Sequence, residues 1–314
     1  MKTRAVGPQV IFIGGSGRSG TSITRQYFGT ANDVFALSFE YRFIVDPGGI
    51  VDFLVSVENL WSPFYYDHKV KELLHFLKWL GGKQLSFESE YSRHKPLGYE
   101  GWELCHWFPE WDASISRLEA TLSQFRYEAN WVGSPDKIAS TMRFGNTFPL
   151  LEGLKEFCWN VIESGLQKGD KSVFVEDNTW NILYADQLYR LFPNSRFLHV
   201  FRDPRDVVAS MRVQRWCPSG LPELCTYYSS IMDRWNEISK NIPEKWYREI
   251  SLEEMVLDPE VAESISEFTG INSECDSNIL SDRSFGRWKN DFTTAEKELL
   301  GSRLAEYIVK YGQS

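Results

Sequence analysis

At 314 residues the chain has room for one large α/β domain or two smaller ones, at ~150 residues per domain, and its 42% hydrophobic and 25% charged residues exclude a disordered tail protein. A net charge of -9, from 34 Lys+Arg against 43 Asp+Glu, argues against a surface built to embrace nucleic acid and leaves only a local basic pocket open. Aromatics reach 15%, with 12 Trp and 21 Phe, a surplus expected in part to line a pocket.

No apolar run approaches the ~18 residues of a membrane helix, since Val51 to Val57 is interrupted by Asp52 and followed by Glu58. Met1 to Gln9 is too short and polar for a signal peptide, so a cytoplasmic address is expected. Cys105, Cys158, Cys217, Cys225 and Cys275 form no CxxC pair and make a poor disulfide framework. Reduced thiols are expected, with closure of a Cys217 to Cys225 loop as the lesser alternative.

Along the chain, Val10 to Gly14 has the continuous apolar character of a buried parallel strand and leads through a glycine-rich turn into a helix over Ser19 to Phe28. From about Val57 to Gly165 the rhythm changes. Helical patches at Lys69 to Leu80 and Ser114 to Phe125, with seven of the twelve tryptophans, predict a helical insertion over the ligand end of a sheet. Strand and helix alternate again at Ser172 to Glu176 and Thr179 to Phe192, then at Arg196 to Phe201 and Arg205 to Arg212, with Asp203 as N-cap and Pro204 at the first helical position. Trp246 to Ile250 reads as a short strand. Ser251 with Glu254 and Thr293 with Glu296 read as capping boxes, and the last helix runs to about Val309, before Gly312. The expected fold is a single three-layer, P-loop-like α/β domain with a mainly parallel sheet.

Gly15-Ser16-Gly17-Arg18-Ser19-Gly20-Thr21-Ser22 has the G-x-x-x-x-G frame of a phosphate loop, placed after a strand and before a helix. Converging backbone N–H groups and the helix N-terminus predict a bound anion there, against the blander reading of a turn with no ligand. An ATP or GTP enzyme carries Lys after the second glycine. Here that position is Thr21 and the cation sits inside the loop as Arg18, so the donor carries less charge than a triphosphate, as a phosphosulfate does.

Phe197-Leu198-His199-Val200-Phe201-Arg202-Asp203-Pro204-Arg205-Asp206 and the following helix to Met211 form a second motif. Together with Gly17-Arg18-Ser19-Gly20-Thr21 it resembles the sulfotransferases that use 3′-phosphoadenosine 5′-phosphosulfate (PAPS). By that resemblance Gly17, Arg18, Ser19, Gly20, Thr21 and Ser22 hold the 5′-phosphosulfate, Arg202 and Ser210 hold the 3′-phosphate, and no metal is required. Phe285-Gly286-Arg287-Trp288-Lys289-Asn290-Asp291-Phe292-Thr293 is similar to a late segment of the family that lies over the adenosine, which would bring Arg287, Trp288 and Lys289 to the nucleotide. Trp288 reads equally as a core anchor.

Transfer to a hydroxyl needs a base beside the attacking oxygen. Phe39-Glu40-Tyr41-Arg42-Phe43 is similar to the glutamate pattern of tyrosylprotein and many bacterial members, which makes Glu40 the first choice, with pairing to Arg42 as its structural alternative. His68, His75, His94, His106 and His199 are weaker choices, His106 being the best of them. Members of the glutamate type usually carry a lysine where this chain has Glu176-Asp177-Asn178, so another cation replaces it or leaving-group stabilisation rests on Arg18 and the loop N–H groups. The acceptor class implied is a carbohydrate, phenol or lipid-like small molecule, in a cleft lined by Trp61, Trp79, Trp102, Trp107, Trp111 and Trp131 unless these are core residues. A P-loop small-molecule kinase and an inactive nucleotide-binding regulator are the alternatives.

Overall fold

The computed structural model describes residues 9–82, 102–130, 140–146, 150–271, 273–282 and 284–312. The chain opens with β1 (Gln9–Gly14), α1 (Thr21–Gly29) and the two-residue β2 (Val34–Phe35). A compact unit over Tyr41–Asp170 follows. It holds α2 (Ile50–Asn59), α3 (Pro63–Leu80), α4 (Trp111–Leu122), an antiparallel hairpin of β3 (Phe125–Ala129) with β4 (Ser140–Phe144), and α5 (Leu150–Gly169). From Lys171 the chain rejoins the first unit with β5 (Val173–Glu176), a 3-10 turn over Thr179–Tyr184, α6 (Ala185–Leu191), β6 (Arg196–Phe201), α7 (Pro204–Met211) and α8 (Leu221–Ile238). It ends with β7 (Tyr247–Ser251), α9 (Leu252–Leu257), α10 (Pro259–Thr269), α11 (Trp288–Asp291), α12 (Thr294–Arg303) and α13 (Ala305–Tyr311).

The five-stranded sheet runs β2-β5-β1-β6-β7 with every pairing parallel. Successive side chains on a strand face opposite layers, so both layers need apolar cover. Ile11, Ile13, Val173, Val175, Leu198 and Val200 pack with Tyr27 and Phe28 of α1, Met255 of α9 and Ile265 of α10. On the alternate positions, Phe12 meets Phe192 with centroids 5.0 Å apart, and Phe197 stacks on Trp235 and Trp246 at 5.6 Å each. This is the expected three-layer α/β arrangement. β1 lies between β5 and β6, and chain leaving a strand flanked this way is where open parallel sheets bind ligands.

Within the other unit the core is aromatic and edge-on: Trp111 lies 5.4 Å from Phe43 and 6.0 Å from Phe157, and its Nε1–H donates to the Leu77 carbonyl at 3.1 Å. Trp111 is fully buried and therefore lines no cleft. Trp61 and Trp107 are exposed, Trp79 and Trp102 half-buried, and Trp131 lies outside the described residues.

Several expected elements change in detail. The first helix starts at Thr21, leaving Ser19 and Gly20 in the loop. Thr179 to Phe192 is a 3-10 turn followed by a short helix, because the Asn178 side chain accepts from Trp180 N–H and Asn181 Nδ2 is pinned to the Ile13 carbonyl at 3.0 Å. The last helix breaks at the buried Leu304, with the new axis directing Tyr307 and Tyr311 inward. Thr293 and Glu296 form a complete capping box, whereas Ser251 accepts from Glu254 N–H and bonds the Glu253 carboxylate instead. All five cysteines are free thiols, which removes the Cys217 to Cys225 closure. No described helix is long and apolar enough to cross a membrane.

Candidate active site

β1 delivers the chain into the loop Gly15 to Gly20, and α1 begins directly behind it. Gly17, Arg18 and Gly20 take φ of 81°, 59° and 112°. For Arg18 a left-handed backbone costs roughly 1–2 kcal/mol, so its side chain must be held by something outside the loop. Arg18 Nε donates to Ser210 Oγ on α7 at 3.0 Å. A Cβ on Gly15 would lie 2.1 Å from Ser19 Oγ and 2.7 Å from the Val200 carbonyl, so only glycine lets the loop fold this closely over Ser19. Ser19 is fully buried and its hydroxyl has no hydrogen-bond partner among the described residues. Thr21 is buried and Ser22 is exposed in the first turn of α1.

Arg202 follows directly on β6 and is 4% exposed. Its Nη2 donates to the Ser284 carbonyl and lies 3.2 Å from Asp206 Oδ2, and its Nε stands 4.0 Å from Glu253 with no hydrogen bond among the described residues. Asp206 also accepts from Gly286 N–H at 2.7 Å and Trp288 N–H at 3.0 Å, which docks the late segment on α7. Trp288 is covered by Arg205, whose guanidinium lies 4.1 Å from its ring centroid. Arg287 pairs with Asp291 at 2.6 Å and Lys289 is exposed. Burial pushes the Glu253 carboxyl above its ordinary range, against the pull of the Asp203 N–H and Arg202.

Glu40 lies at the other side of β1. Its Oε1 accepts from Thr179 N–H at 3.4 Å and Thr179 Oγ1–H at 3.3 Å. Arg42 donates to Asp46 at 3.2 Å. Asp177 is bound by Arg25 Nε at 3.0 Å, and Arg25 Nη1 donates to the Leu37 carbonyl at 2.7 Å. Burial lifts Asp177 to about 6 despite Arg25, with Glu40 adding to the rise. Burial lifts Glu176 well above its ordinary value, although Asn181 and Asn178 N–H bond it. The cation found in the Glu176-Asp177-Asn178 region is thus Arg25, reaching in from α1.

The histidines have surroundings of their own. His199 is buried in β6, with Nδ1–H donating to Glu249 at 2.8 Å, and burial lowers its pKa. His68 and His75 lie on α3, where burial also lowers His75. His106 is exposed and pairs with Glu103 at 3.0 Å, while His94 lies outside the described residues. Arg25, Arg205, Asp206 and Glu253 were not among the expected site residues. Asp206 stands four residues after Arg202, across the Asp203 cap in one short stretch of chain, and so carried a signal; Glu253, from another element, carried none.

A parallel sheet covered on both faces, with an anion-type loop after its central strand and two arginines gathered by α7, defines a P-loop-like α/β transferase fold. The sequence pattern of the sulfotransferase family matches residues 8–274, and the chain belongs to that family and is an enzyme of it. Among solved structures it is similar to sulfotransferase STF9 from Mycobacterium avium, at 14% identity over 99% of this chain and 78% of that one, TM-score 0.45. It is also similar to sulfotransferase STF1 from Mycobacterium tuberculosis H37Rv, at 14% identity over 96% and 77%, TM-score 0.45. The sulfotransferase domain of the Synechococcus PCC 7002 olefin synthase matches at 14% identity over 95% and 86%, TM-score 0.43. No curated protein sequence matches significantly.

Proposed function

We propose that the enzyme moves the sulfuryl group of PAPS to a hydroxyl, or an amine, of a small acceptor and releases adenosine 3′,5′-bisphosphate, working in the cytoplasm where its thiols stay reduced. The observation that carries this reading is the 3.0 Å bond from Arg18 to Ser210, which ties the loop suited to a 5′-phosphosulfate to the helix suited to a 3′-phosphate. Ser19 Oγ and Arg202 Nε, each without a hydrogen-bond partner among the described residues, support an anion at each end of that span.

In this reading Gly17, Arg18, Ser19, Gly20, Thr21 and Ser22 hold the 5′ end through backbone N–H groups, hydroxyls and one guanidinium. Arg202 and Ser210 hold the 3′-phosphate, and Arg287, Trp288 and Lys289 close over the nucleotide. Glu40 accepts the acceptor's hydroxyl proton as the new oxygen–sulfur bond forms. The bond from sulfur to the 5′-phosphate oxygen breaks, and Arg18 meets the charge that gathers there.

Glu40→Gln should bind the bisphosphate as the parent does while turnover falls by about 10²–10⁴. A variant keeping half the parental rate would remove Glu40 as base and move the role to His106. Preference for ATP with magnesium over the bisphosphate would overturn the donor assignment.

A further inference from the structure

Beside the glycine loop stand two tryptophans that the sulfuryl-transfer reading above does not use. Trp216 lies in the loop between α7 and α8, Trp180 in the turn after β5, and their rings meet at 6.3 Å and 88°. Trp216 is 49% exposed and Trp180 half-buried. Folding leaves this much indole in water only where core packing has not claimed it.

Gly17 fixes how close this pair stands to the loop. A Cβ on Gly17, at φ +81°, would lie 3.0 Å from Trp216 Cη2 and 3.4 Å from Thr179 Cγ2. Thr179 is also the residue whose N–H and hydroxyl bond Glu40 Oε1. The Trp216 ring, the tip of the loop and the Glu40 carboxylate therefore converge on one threonine. The chain on either side of the pair is anchored by local bonds. Gln214 N–H donates to the Met211 carbonyl at 2.8 Å and its Nε2 to the Ser210 carbonyl at 3.3 Å, Arg212 pairs with Glu296 at 2.8 Å, and Trp180 N–H donates to Asn178 Oδ1 at 3.0 Å.

We infer that Trp216 and Trp180 form the acceptor's ring platform, selecting an uncharged, flat-faced cyclic alcohol whose hydroxyl is presented to Glu40. The inference rests on the sulfuryl-transfer reading above and names its substrate class. Perpendicular indole planes offer a corner in which a ring lies on one face with its edge against the other. The Glu40 carboxylate on Thr179 disfavours an anionic group on the acceptor at that point. A phenol and a glycoside share the chemistry recognised here, an apolar ring face carrying a hydroxyl.

The test compares the parent chain with Trp216→Ala and Trp216→Phe, using PAPS with 2-naphthol, a methyl glucoside and linear 1-hexanol as acceptors. Bisphosphate affinity is measured by calorimetry and acceptor binding by saturation-transfer NMR. Trp216→Ala should raise KM for the ring acceptor that the parent uses by about tenfold or more, and Phe should restore it to within about threefold. Bisphosphate affinity and the linear alcohol should be unmoved. Response confined to 2-naphthol or to the glucoside identifies which ring source the platform takes. Equal losses on ring and linear acceptors overturn the platform, as does a parent chain that binds the bisphosphate but neither ring. A parent that binds no bisphosphate overturns the donor reading instead, and ring binding by NMR, lost in Trp216→Ala, still decides the platform.

Discussion

Replacing Arg202 separates what this side chain does for the fold from what it does for the nucleotide. Arg202 is 4% exposed and lies between Asp206, at 3.2 Å, and Glu253, at 4.0 Å, so Arg202→Ala leaves two buried carboxylates without their cation. Removing one partner of a buried pair costs about 3–5 kcal/mol. Glu253 can relieve part of this by taking up a proton, since burial already holds its carboxyl above the ordinary range and Arg202 is one of the groups pulling it down. A carboxyl raised in the folded state adds stability below its unfolded value and loses it as pH rises through the folded one. Arg202→Ala should therefore be most destabilised at about pH 8 and recover toward about pH 5, read by urea denaturation at each pH. Arg202→Lys keeps the charge and should remain folded, but it lacks the fork that meets a phosphate. For the lysine variant the bisphosphate should bind about ten- to a hundredfold more weakly, from ~1.5–3 kcal/mol per charge-assisted bond, while adenosine 5′-phosphate, lacking the 3′ group, should bind as before. Equal weakening toward both ligands in folded Arg202→Lys would refute the 3′-phosphate assignment, and a pH-independent loss in Arg202→Ala would refute the role given to Glu253.

Gly15→Ala should lower stability by about 1–3 kcal/mol and abolish bisphosphate binding, because its Cβ would sit 2.7 Å from the Val200 carbonyl, which cannot yield as a side chain can. Parental Tm and affinity in that variant would count against the loop packing described. Glu249 accepts from His199 Nδ1–H at 2.8 Å, Trp235 Nε1–H at 2.8 Å and Tyr311 O–H at 3.2 Å, and these bonds, led by His199, hold it at about 2 against the upward push of burial. Its stabilisation is present above the ordinary carboxylate range and is lost as pH falls toward about 2. Glu249→Gln should be about 1.5–3 kcal/mol less stable at neutral pH and lack that acid limb in a denaturation series; an unchanged limb refutes the assignment.

The strands that carry the site were legible because a parallel sheet covered on both faces demands apolar runs: Val10 to Ile13 and Val173 to Val175 are unbroken, and Phe197 to Phe201 is interrupted only by His199. Asp203 with Pro204 and Thr293 with Glu296 were legible because a cap is a local hydrogen bond between near neighbours. The hairpin was not. Arg126 and Arg143 face each other across β3 and β4, a pairing that reads as repulsive until Glu119 of α4 is placed against both, at 3.2 and 2.6 Å. Nor was the break at Leu304, which answers to Asp233 and Glu249, the partners of Tyr307 and Tyr311 on other elements.

The same division runs through the site. The glycine loop is contiguous in the chain, and its backbone requirements can be read from residue types alone. Its restraint is distant: Arg18 meets Ser210 across 192 positions, and Arg25, on a helix that looks amphipathic and surface-lying, is drawn under the sheet edge by Asp177, 152 positions away. Charge was the least legible property. The fold brings Glu176 and Asp177 near Glu40, and counted as ions they would oppose one another. Their exposures are 1% and 2%, so burial raises both, Asp177 to about 6 in spite of Arg25. Glu40 by contrast is only half-buried and accepts from Thr179 N–H and Oγ1–H. That difference comes from depth at the end of β5, and a residue's depth is set by the elements packed around it, not by the letters beside it.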